Sequence, residues 1–330
     1  MRQGSPVSAI LVIRPSSLGD VVHALAVVAD VHAHRPGLAV DWVAEEAFAP
    51  LVALDPGVRR TIPVALRRWR RSLLAGATWR EFAAFRAALR HERYVAVIDL
   101  QEQLKGSAMA AMARGPSHGP TAKDAREPLA AWWHDHRHPI ARRQHFQDRC
   151  RQLVAAALGY AVEGPPRFGL APPPLPRELA CAGPYAMLVH GTSRDDKLWP
   201  EEHWRALATR LGQGGIESLL PWGSDAERAR GERIAAGLAT ARVLPKLGLP
   251  EQASLLKAAH VVVGVDTGLV HLAAALQTPT LALFTATDPA QAGVERAGIR
   301  ARDLGGEGRM PAPDDVGAAV GALLRETPRC

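Results

Sequence analysis

Three short polar segments carry the residue types that could do chemistry. Each follows an apolar run and precedes a helix-like stretch. The first is Arg14-Pro15-Ser16-Ser17-Leu18-Gly19-Asp20-Val21-Val22-His23. In an open parallel sheet, ligands bind beyond the carboxyl ends of strands, so a carboxylate here can meet a substrate. Gly19 lets the backbone turn tightly and approach a ligand closely. Alternatively, Asp20 only begins the helix, where its charge favours the macrodipole. The segment lacks both GxGxxG and GxxxxGK[ST], which removes the dinucleotide fingerprint and the P-loop.

The second segment runs from His190 to Pro200, HGTSRDDKLWP. Thr192 and Ser193 can donate hydroxyls to phosphate oxygens, and Lys197 supplies a positive point charge. The set suits a diphosphate, unless the acids around Lys197 make it an ordinary solvated turn. The third segment, GVDTGLVH over 264–271, follows a buried-strand pattern and opens a helix. Backbone N–H groups at a helix start form an anion site, and Thr267 and Gly268 would offer theirs. Asp266 cannot favour that anion. It binds a sugar hydroxyl or orients Lys197, or it joins Thr267 in capping the helix. His271 either touches the ligand or packs within the helix. Asp-Thr-Gly also occurs in aspartic proteases, but the parallel α/β context argues against that chemistry.

Two further clusters stand out. Arg67-Arg68-Trp69-Arg70-Arg71 is the densest basic run, with no acid inside it. Guanidinium forks match carboxylate and phosphate, so the run reads as an anion grip or as a solvated face. His134, His136 and His138 alternate and would share one face of a strand. No cysteine or patterned carboxylate joins them, so the expected metal set is none.

The elements that must position these loops follow an alternating rhythm of apolar runs and amphipathic stretches, the pattern of a parallel α/β sheet. Strands are expected at Ala9–Ile13, Val40–Val43, Thr61–Leu66, Tyr94–Asp99, Tyr185–Val189, Glu217–Leu220, His260–Val265 and Thr280–Phe284. Pro63 weakens the third. Helices are expected at Asp20–His34, Glu201–Leu211, Leu269–Leu276 and Asp314–Arg325. Prolines crowd 165–176, so the domain boundary is expected there. The division is a first domain over 1–164, a Pro-rich linker over 165–183, a second domain over 184–312 and a closing helix over 313–330. Two doubly wound Rossmann-like domains with a cleft between them are the expected architecture.

Composition bounds the partners. The 330 residues carry a net charge of +7, and the excess lies in residues 1–160, with 22 Lys+Arg against 14 Asp+Glu. A basic half implies an anionic partner. Aromatics at 5% and the absence of any nucleic-acid motif argue against nucleic acid. Three scattered cysteines, Cys150, Cys181 and Cys330, form neither a disulfide framework nor a zinc site, which suggests a reducing compartment. Residues 1–12 lack the pattern of a signal peptide, and no apolar run is long enough to span a bilayer.

At these residues the chain resembles the lipopolysaccharide heptosyltransferases of glycosyltransferase family nine. The resemblance is collinear from about Ala9 to the last helix. It rests on SSLGD at 16–20, DWVAEE at 41–46, IPVALRRWRR at 62–71, AREPLA at 125–130, TSRDDKLWPEEHW at 192–204, LPWG at 220–223 and VDTGLVHL at 265–272. The arginine run and AREPLA favour the type I branch over type II.

The resemblance implies a GT-B fold, with an N-terminal acceptor-binding domain and a C-terminal nucleotide-sugar domain. It implies an inverting transfer from ADP-L-glycero-β-D-manno-heptose to a Kdo sugar of Kdo-lipid A, with no obligatory cofactor. Asp20 would be the general base and Lys197 would neutralise the departing ADP. Thr192, Ser193, Thr267 and Gly268 would hold the diphosphate. Glu227 would meet the ribose, and Asp266 and His271 match donor-site positions. Ser17, Gly19, Arg67, Arg68, Arg71, Lys105 and Arg126 would face the anionic acceptor. The expected location is cytoplasmic, peripheral on the anionic inner face of the cytoplasmic membrane. A family-nine transferase with another acceptor and a non-catalytic nucleotide-sugar binder are the rival readings.

The chain departs from the family pattern at four positions. Glu102 stands where glycine is usual after Gln101. Val270 replaces a frequent serine, Ser193 a threonine, and Arg14 a lysine.

Overall fold

The computed structural model describes residues 8–298 and 300–326, and Cys330 and the first seven residues lie outside them. The chain divides into two compact units between Ala171 and Pro172.

The first unit is built on strands β1 (Ala9–Ile13), β2 (Ala39–Glu45), β3 (Val58–Val64), β4 (Ala96–Asp99), β5 (Ser117–Pro120) and β6 (His136–His138). They form one parallel sheet in the order β3-β2-β1-β4-β5-β6. Its helices are α1 (Leu18–His34), α2 (Ala49–Val52), α3 (Leu66–Trp69), α4 (Gly76–Leu89), α5 (Leu104–Met112) and α6 (Phe146–Leu158). β1 is wholly buried because apolar cores cover both faces of the sheet. That is why it reads as an unbroken apolar run rather than an alternation.

The second unit repeats this plan with β7 (Tyr185–Val189), β8 (Glu217–Leu220), β9 (Ala241–Val243), β10 (Val261–Val265), β11 (Thr280–Phe284) and β12 (Ala301–Gly305). Its parallel order is β12-β11-β10-β7-β8-β9. The helices are α7 (Glu201–Gln213), α8 (Asp225–Ala235), α9 (Leu249–Ala258), α10 (Gly268–Ala275), α11 (Pro289–Ala292) and α12 (Pro313–Arg325). α12 packs on α7, β10 and β11, so it belongs to this unit's own layers.

In chain order both sheets run 3-2-1-4-5-6, and the order reverses between β1 and β4 in one unit and between β7 and β10 in the other. Those reversals are where an open α/β sheet opens a crevice for ligands. The loop carrying Asp20 follows β1, and the loops carrying Lys197 and Asp266 follow β7 and β10.

β3 begins three residues before the expected Thr61 and ends at Val64. Its early start is held by charge. Arg59 donates twice to Asp41 of β2, at 2.9 and 2.8 Å, and Arg60 Nε donates at 3.1 Å. Pro63 is tolerated because β3 is an edge strand, where a missing N–H removes no ladder bond. Of the alternating histidines, His136 and His138 share a face of β6 and both stack on His118 of β5, and only His134 departs from it. His134 precedes β6 and is buried on Asp99 of β4 at 3.3 Å, whereas His138 bonds His118 of β5 at 3.1 Å.

Candidate active site

In the first unit, α1 starts directly after the β1 loop, with Ser17 as its N-cap. Asp20 falls in the first turn, and one carboxylate oxygen takes every contact. Oδ2 accepts from the Ser17 backbone N–H at 3.0 Å and from the Ser17 hydroxyl at 2.9 Å, and it pairs with Arg14 at 2.5 Å. Oδ1 has no hydrogen-bond partner among the described residues, and the side chain stays 30% exposed. Burial alone would raise its pKa. The Arg14 cation and the Ser17 bonds outweigh that and hold the carboxyl below the usual range. The result is an ionised carboxylate with one oxygen open.

Arg14 is buried and spans two elements. One guanidinium nitrogen holds Asp20, another donates to the Leu100 carbonyl at 2.5 Å, and the plane lies 4.6 Å from the Phe146 ring centre. A lysine ammonium could not make this fork and stack together, so the arginine does more than keep the charge. Lys105 Nζ donates to Ser16 Oγ at 3.1 Å. Burial, and then the nearby Arg14, Arg70 and Arg126 cations, push its pKa down. The β1 loop is therefore ringed by positive charge.

Glu102 explains how the β4–α5 loop keeps its shape without glycine. Its φ is +56°, in the left-handed region that favours glycine. Both its carboxylate oxygens accept from Arg149 at 2.6 Å, and its N–H reaches Asp99 at 3.3 Å. Gln101 keeps a tie to the β1 loop, accepting from the Ser16 N–H at 3.3 Å.

The arginine run does not act as a block. Arg68 is held by Glu46 at 2.9 Å and by Glu81 at 2.8 Å, acids remote in sequence. Its expected role as a free acceptor grip is therefore not what the geometry offers. Trp69 is core, edge-on to Phe82 and Phe85, with its N–H on Glu81 at 2.7 Å. Arg67 lies over Phe48 at 5.5 Å. Arg70, Arg71 and Arg126 are exposed and have no acidic partner among the described residues. Arg70 was absent from the expected acceptor set, yet it is the member of the run that acts on Lys105. No local signal distinguishes it from Arg68.

In the second unit, Asp266 draws the separate loops together. Its Oδ2 accepts from Lys197 Nζ at 2.6 Å and from Thr287 Oγ1 at 2.8 Å, and His271 Nε2 donates to Oδ1 at 3.2 Å. Burial would raise its pKa, but the His271 and Lys197 contacts hold it far below the carboxylate range. Of the three sequence readings of Asp266, the contact present in this geometry is the one with Lys197. His271 is buried in α10 with Nε2 on Asp266. Thr192 Oγ1 donates to the Asp266 carbonyl at 3.4 Å, whereas Ser193 is exposed.

Thr267 is the N-cap of α10 and Gly268 its first residue. The Val270 and His271 N–H groups already bond the Thr267 carbonyl at 3.1 and 3.4 Å, which leaves the Gly268 and Leu269 N–H groups without an acceptor among the described residues, as at an anion-binding helix start. Val270 is fully buried, and a Cβ on Gly264 would come within 2.4 Å of it. The side chain packs in the interior beside Gly264.

Glu227 is the first-turn acid of α8, where its Oε2 accepts from the Gly223 and Ser224 N–H groups at 2.6 and 3.2 Å. Its Oε1 has no hydrogen-bond partner among the described residues. A Cβ on Gly191 would strike that carboxylate at 2.7 Å, so the glycine lets α8 seat its acid against the Thr192 loop. Thr287 escaped the sequence reading. The only signal for it was a threonine just beyond an apolar strand.

The described residues contain no cluster of three or more His, Cys, Asp or Glu side chains arranged to hold a metal. Nor is any helix among them long and apolar enough to cross a membrane. Cys150 and Cys181 are free thiols, and burial raises the pKa of each.

The family model described as glycosyltransferase family 9 (heptosyltransferase) matches residues 82–303. Lipopolysaccharide heptosyltransferase 1 of Escherichia coli K12 is 43% identical over 284 residues, covering 85% of this chain and 88% of that protein. The solved structure of E. coli heptosyltransferase WaaC with ADP aligns with a TM-score of 0.87 and 38% identity, over 96% of this chain and 99% of that one. WaaC with ADP-2-deoxy-2-fluoro heptose aligns over the same shares, with a TM-score of 0.80 and 38% identity.

Proposed function

The chain belongs to glycosyltransferase family 9, and we propose that it moves L-glycero-D-manno-heptose from ADP-heptose to a Kdo sugar of Kdo-lipid A in assembly of the lipopolysaccharide inner core. The observation that carries the chemistry is Asp20: an ionised carboxylate with one oxygen held by Arg14 and Ser17 and the other open.

Asp20 Oδ1 takes the proton of the acceptor hydroxyl as that oxygen attacks the anomeric carbon. The bond from that carbon to the ADP oxygen breaks on the opposite face, so the configuration inverts. Charge gathers on the leaving ADP. Lys197 and the first-turn N–H groups at Gly268 meet it. Thr192, Ser193 and Thr267 add hydroxyls to the diphosphate, and Glu227 Oε1 takes the ribose. Asp266, His271 and Thr287 hold Lys197 in place before the donor arrives.

The acceptor side uses Ser17, Gly19, Lys105, Arg67, Arg71 and Arg126, with Arg70 added and Arg68 reduced to an outer role. The first unit thus serves the acceptor and the second the donor. Because Lys197 and backbone N–H groups supply positive charge to the diphosphate, the reaction needs no obligatory metal. Turnover should persist in a chelator, and its complete loss would overturn that point. The cationic first half supports peripheral contact with an anionic leaflet of the cytoplasmic membrane, from the cytoplasmic side.

The test is ADP release from ADP-heptose, with and without a Kdo-bearing lipid A acceptor. Release should require the acceptor and collapse in Asp20→Ala. Donor binding without acceptor-dependent release would overturn the acceptor assignment.

A further inference from the structure

Nine large hydrophobic side chains stand exposed among the described residues, and eight of them lie in the first unit. Three come from one 3-10 turn, Pro128–Trp133. Its small residues, Ala130 and Ala131, are buried, while Leu129, Trp132 and Trp133 are 59%, 73% and 54% exposed. Burial in water would favour the reverse order, since large apolar side chains gain most from leaving solvent.

The patch continues onto α4. Trp133 lines a cavity of about 380 Å³ with Phe82, Phe85, Met109 and Met112. Phe82 stands edge-on to Trp79 at 6.2 Å. Trp79 donates its indole N–H to the Leu73 carbonyl at 2.9 Å, leaving the ring in solvent beside exposed Leu73 and Leu74. Cations accompany it. Lys105 lines the same cavity, Arg70 and Arg126 act on Lys105, and Arg70, Arg71 and Arg126 have no acidic partner among the described residues. The acids nearest the turn are already used. Glu127 accepts from Gln103 at 3.0 Å and from the Leu104 N–H at 2.8 Å.

We propose that the 128–133 turn and the 70–79 segment form a bilayer-insertion surface. The indoles enter the boundary between headgroups and acyl chains, and the arginines given above to the anionic acceptor meet the phosphates of that lipid and of its neighbours in the same leaflet. Exposed indoles beside unpaired cations fit an anionic membrane interface, where tryptophan rings and basic side chains both find partners. An apolar patch alone would not choose a bilayer over a protein, but the three uncompensated guanidiniums do. The inference rests on the membrane contact proposed above and adds to it an apolar component that salt does not screen.

The test is co-sedimentation with vesicles of phosphatidylcholine and phosphatidylglycerol, at low and high salt, for the wild-type chain and a Trp132→Ala/Trp133→Ala variant. Wild-type binding should persist in part at high salt. The variant should bind on the order of tenfold more weakly, with an unchanged rate on a deacylated, water-soluble acceptor. Brominated lipid should quench wild-type tryptophan fluorescence more than that of the variant.

Absence of wild-type binding even at low salt would remove the membrane contact itself. Binding that vanishes at high salt and is equal in the variant would leave that contact standing and overturn insertion. A solution dimer that the variant dissociates would reassign the patch to self-association. A fall in the variant's rate on the soluble acceptor, reproduced by Leu129→Ala, would assign the turn to the active site instead.

Discussion

Asp20 and Asp266 occupy comparable places in two units of the same topology, and their surroundings differ in kind. Each sits at the start of a helix that follows a strand at the reversal of sheet order. Each is held below the ordinary carboxylate range by a neighbouring cation. Asp20 is 30% exposed and all its contacts fall on one oxygen. Asp266 is 11% exposed, and contacts from three side chains use both oxygens. A carboxylate with an open oxygen can receive a proton. A saturated one can only hold its partners in place. Ionisation alone therefore does not tell the two acids apart, and the free valence does.

The strongest way to break this comparison is to remove each acid in turn. Asp20→Asn should lower kcat by roughly 10²- to 10⁴-fold with donor affinity retained. Equal losses of kcat and of donor affinity, by steady-state kinetics and calorimetry, would make Asp20 a structural acid like Asp266. Lys197→Ala should cost about 10²- to 10³-fold in kcat, since it removes a cation from the leaving group. Asp266→Asn should act through Lys197, so in a double-mutant cycle its effect should largely disappear in the Lys197→Ala background.

Glu102→Gly tests whether the first unit's loop is held by its ion pair. Glycine relieves a left-handed residue at about 1 kcal/mol but strands the buried Arg149, at about 3–5 kcal/mol. A net loss of roughly 2–4 kcal/mol is expected from denaturant unfolding. A more stable variant would show that Arg149 finds another partner.

Arg14→Gln tests the cation beside Asp20. A depressed pKa means that the base is lost only as pH falls through that lowered value, and its contribution to stability follows the same sign. That contribution is present above the unfolded value of about 3.9 and lost below the folded one. Without Arg14 only the Ser17 bonds and the His23 ring oppose the burial effect, so the acid limb of kcat/KM should move to higher pH. An unmoved limb would mean that another group carries the titration. Thr287→Val, which removes one of two contacts on Asp266 Oδ2, should cost only several-fold in kcat/KM. Thr287→Ser should restore it.

Much of this was legible before any coordinates. The buried strands announced themselves as apolar runs, and the polar segments after them carried Asp20, Lys197 and Asp266. Pro63 misled only because edge position is not a local property. The arginine run misled for the same reason. Its freedom from acids along the chain holds in space for Arg70 and Arg71 among the described residues and fails for Arg68, on which Glu46 and Glu81 close. The glutamate at a glycine position looked like a defect in the loop until Arg149, 47 residues away, was seen to hold it. Val270, which stands where serine is frequent, is buried in the interior.

The sequence by itself determined eight of the twelve strands and four of the twelve α-helices among the described residues, and the polar loops after those strands, because apolar periodicity and turn residues act over a few neighbours. It also named the acids and the lysine that those loops present. The tertiary structure alone decided which charges are free. Lys197 meets Asp266 across 69 residues and Lys105 meets Ser16 across 89. Coulomb attraction and hydrogen bonding depend on distance in space, and only the order of strands in each sheet sets that distance.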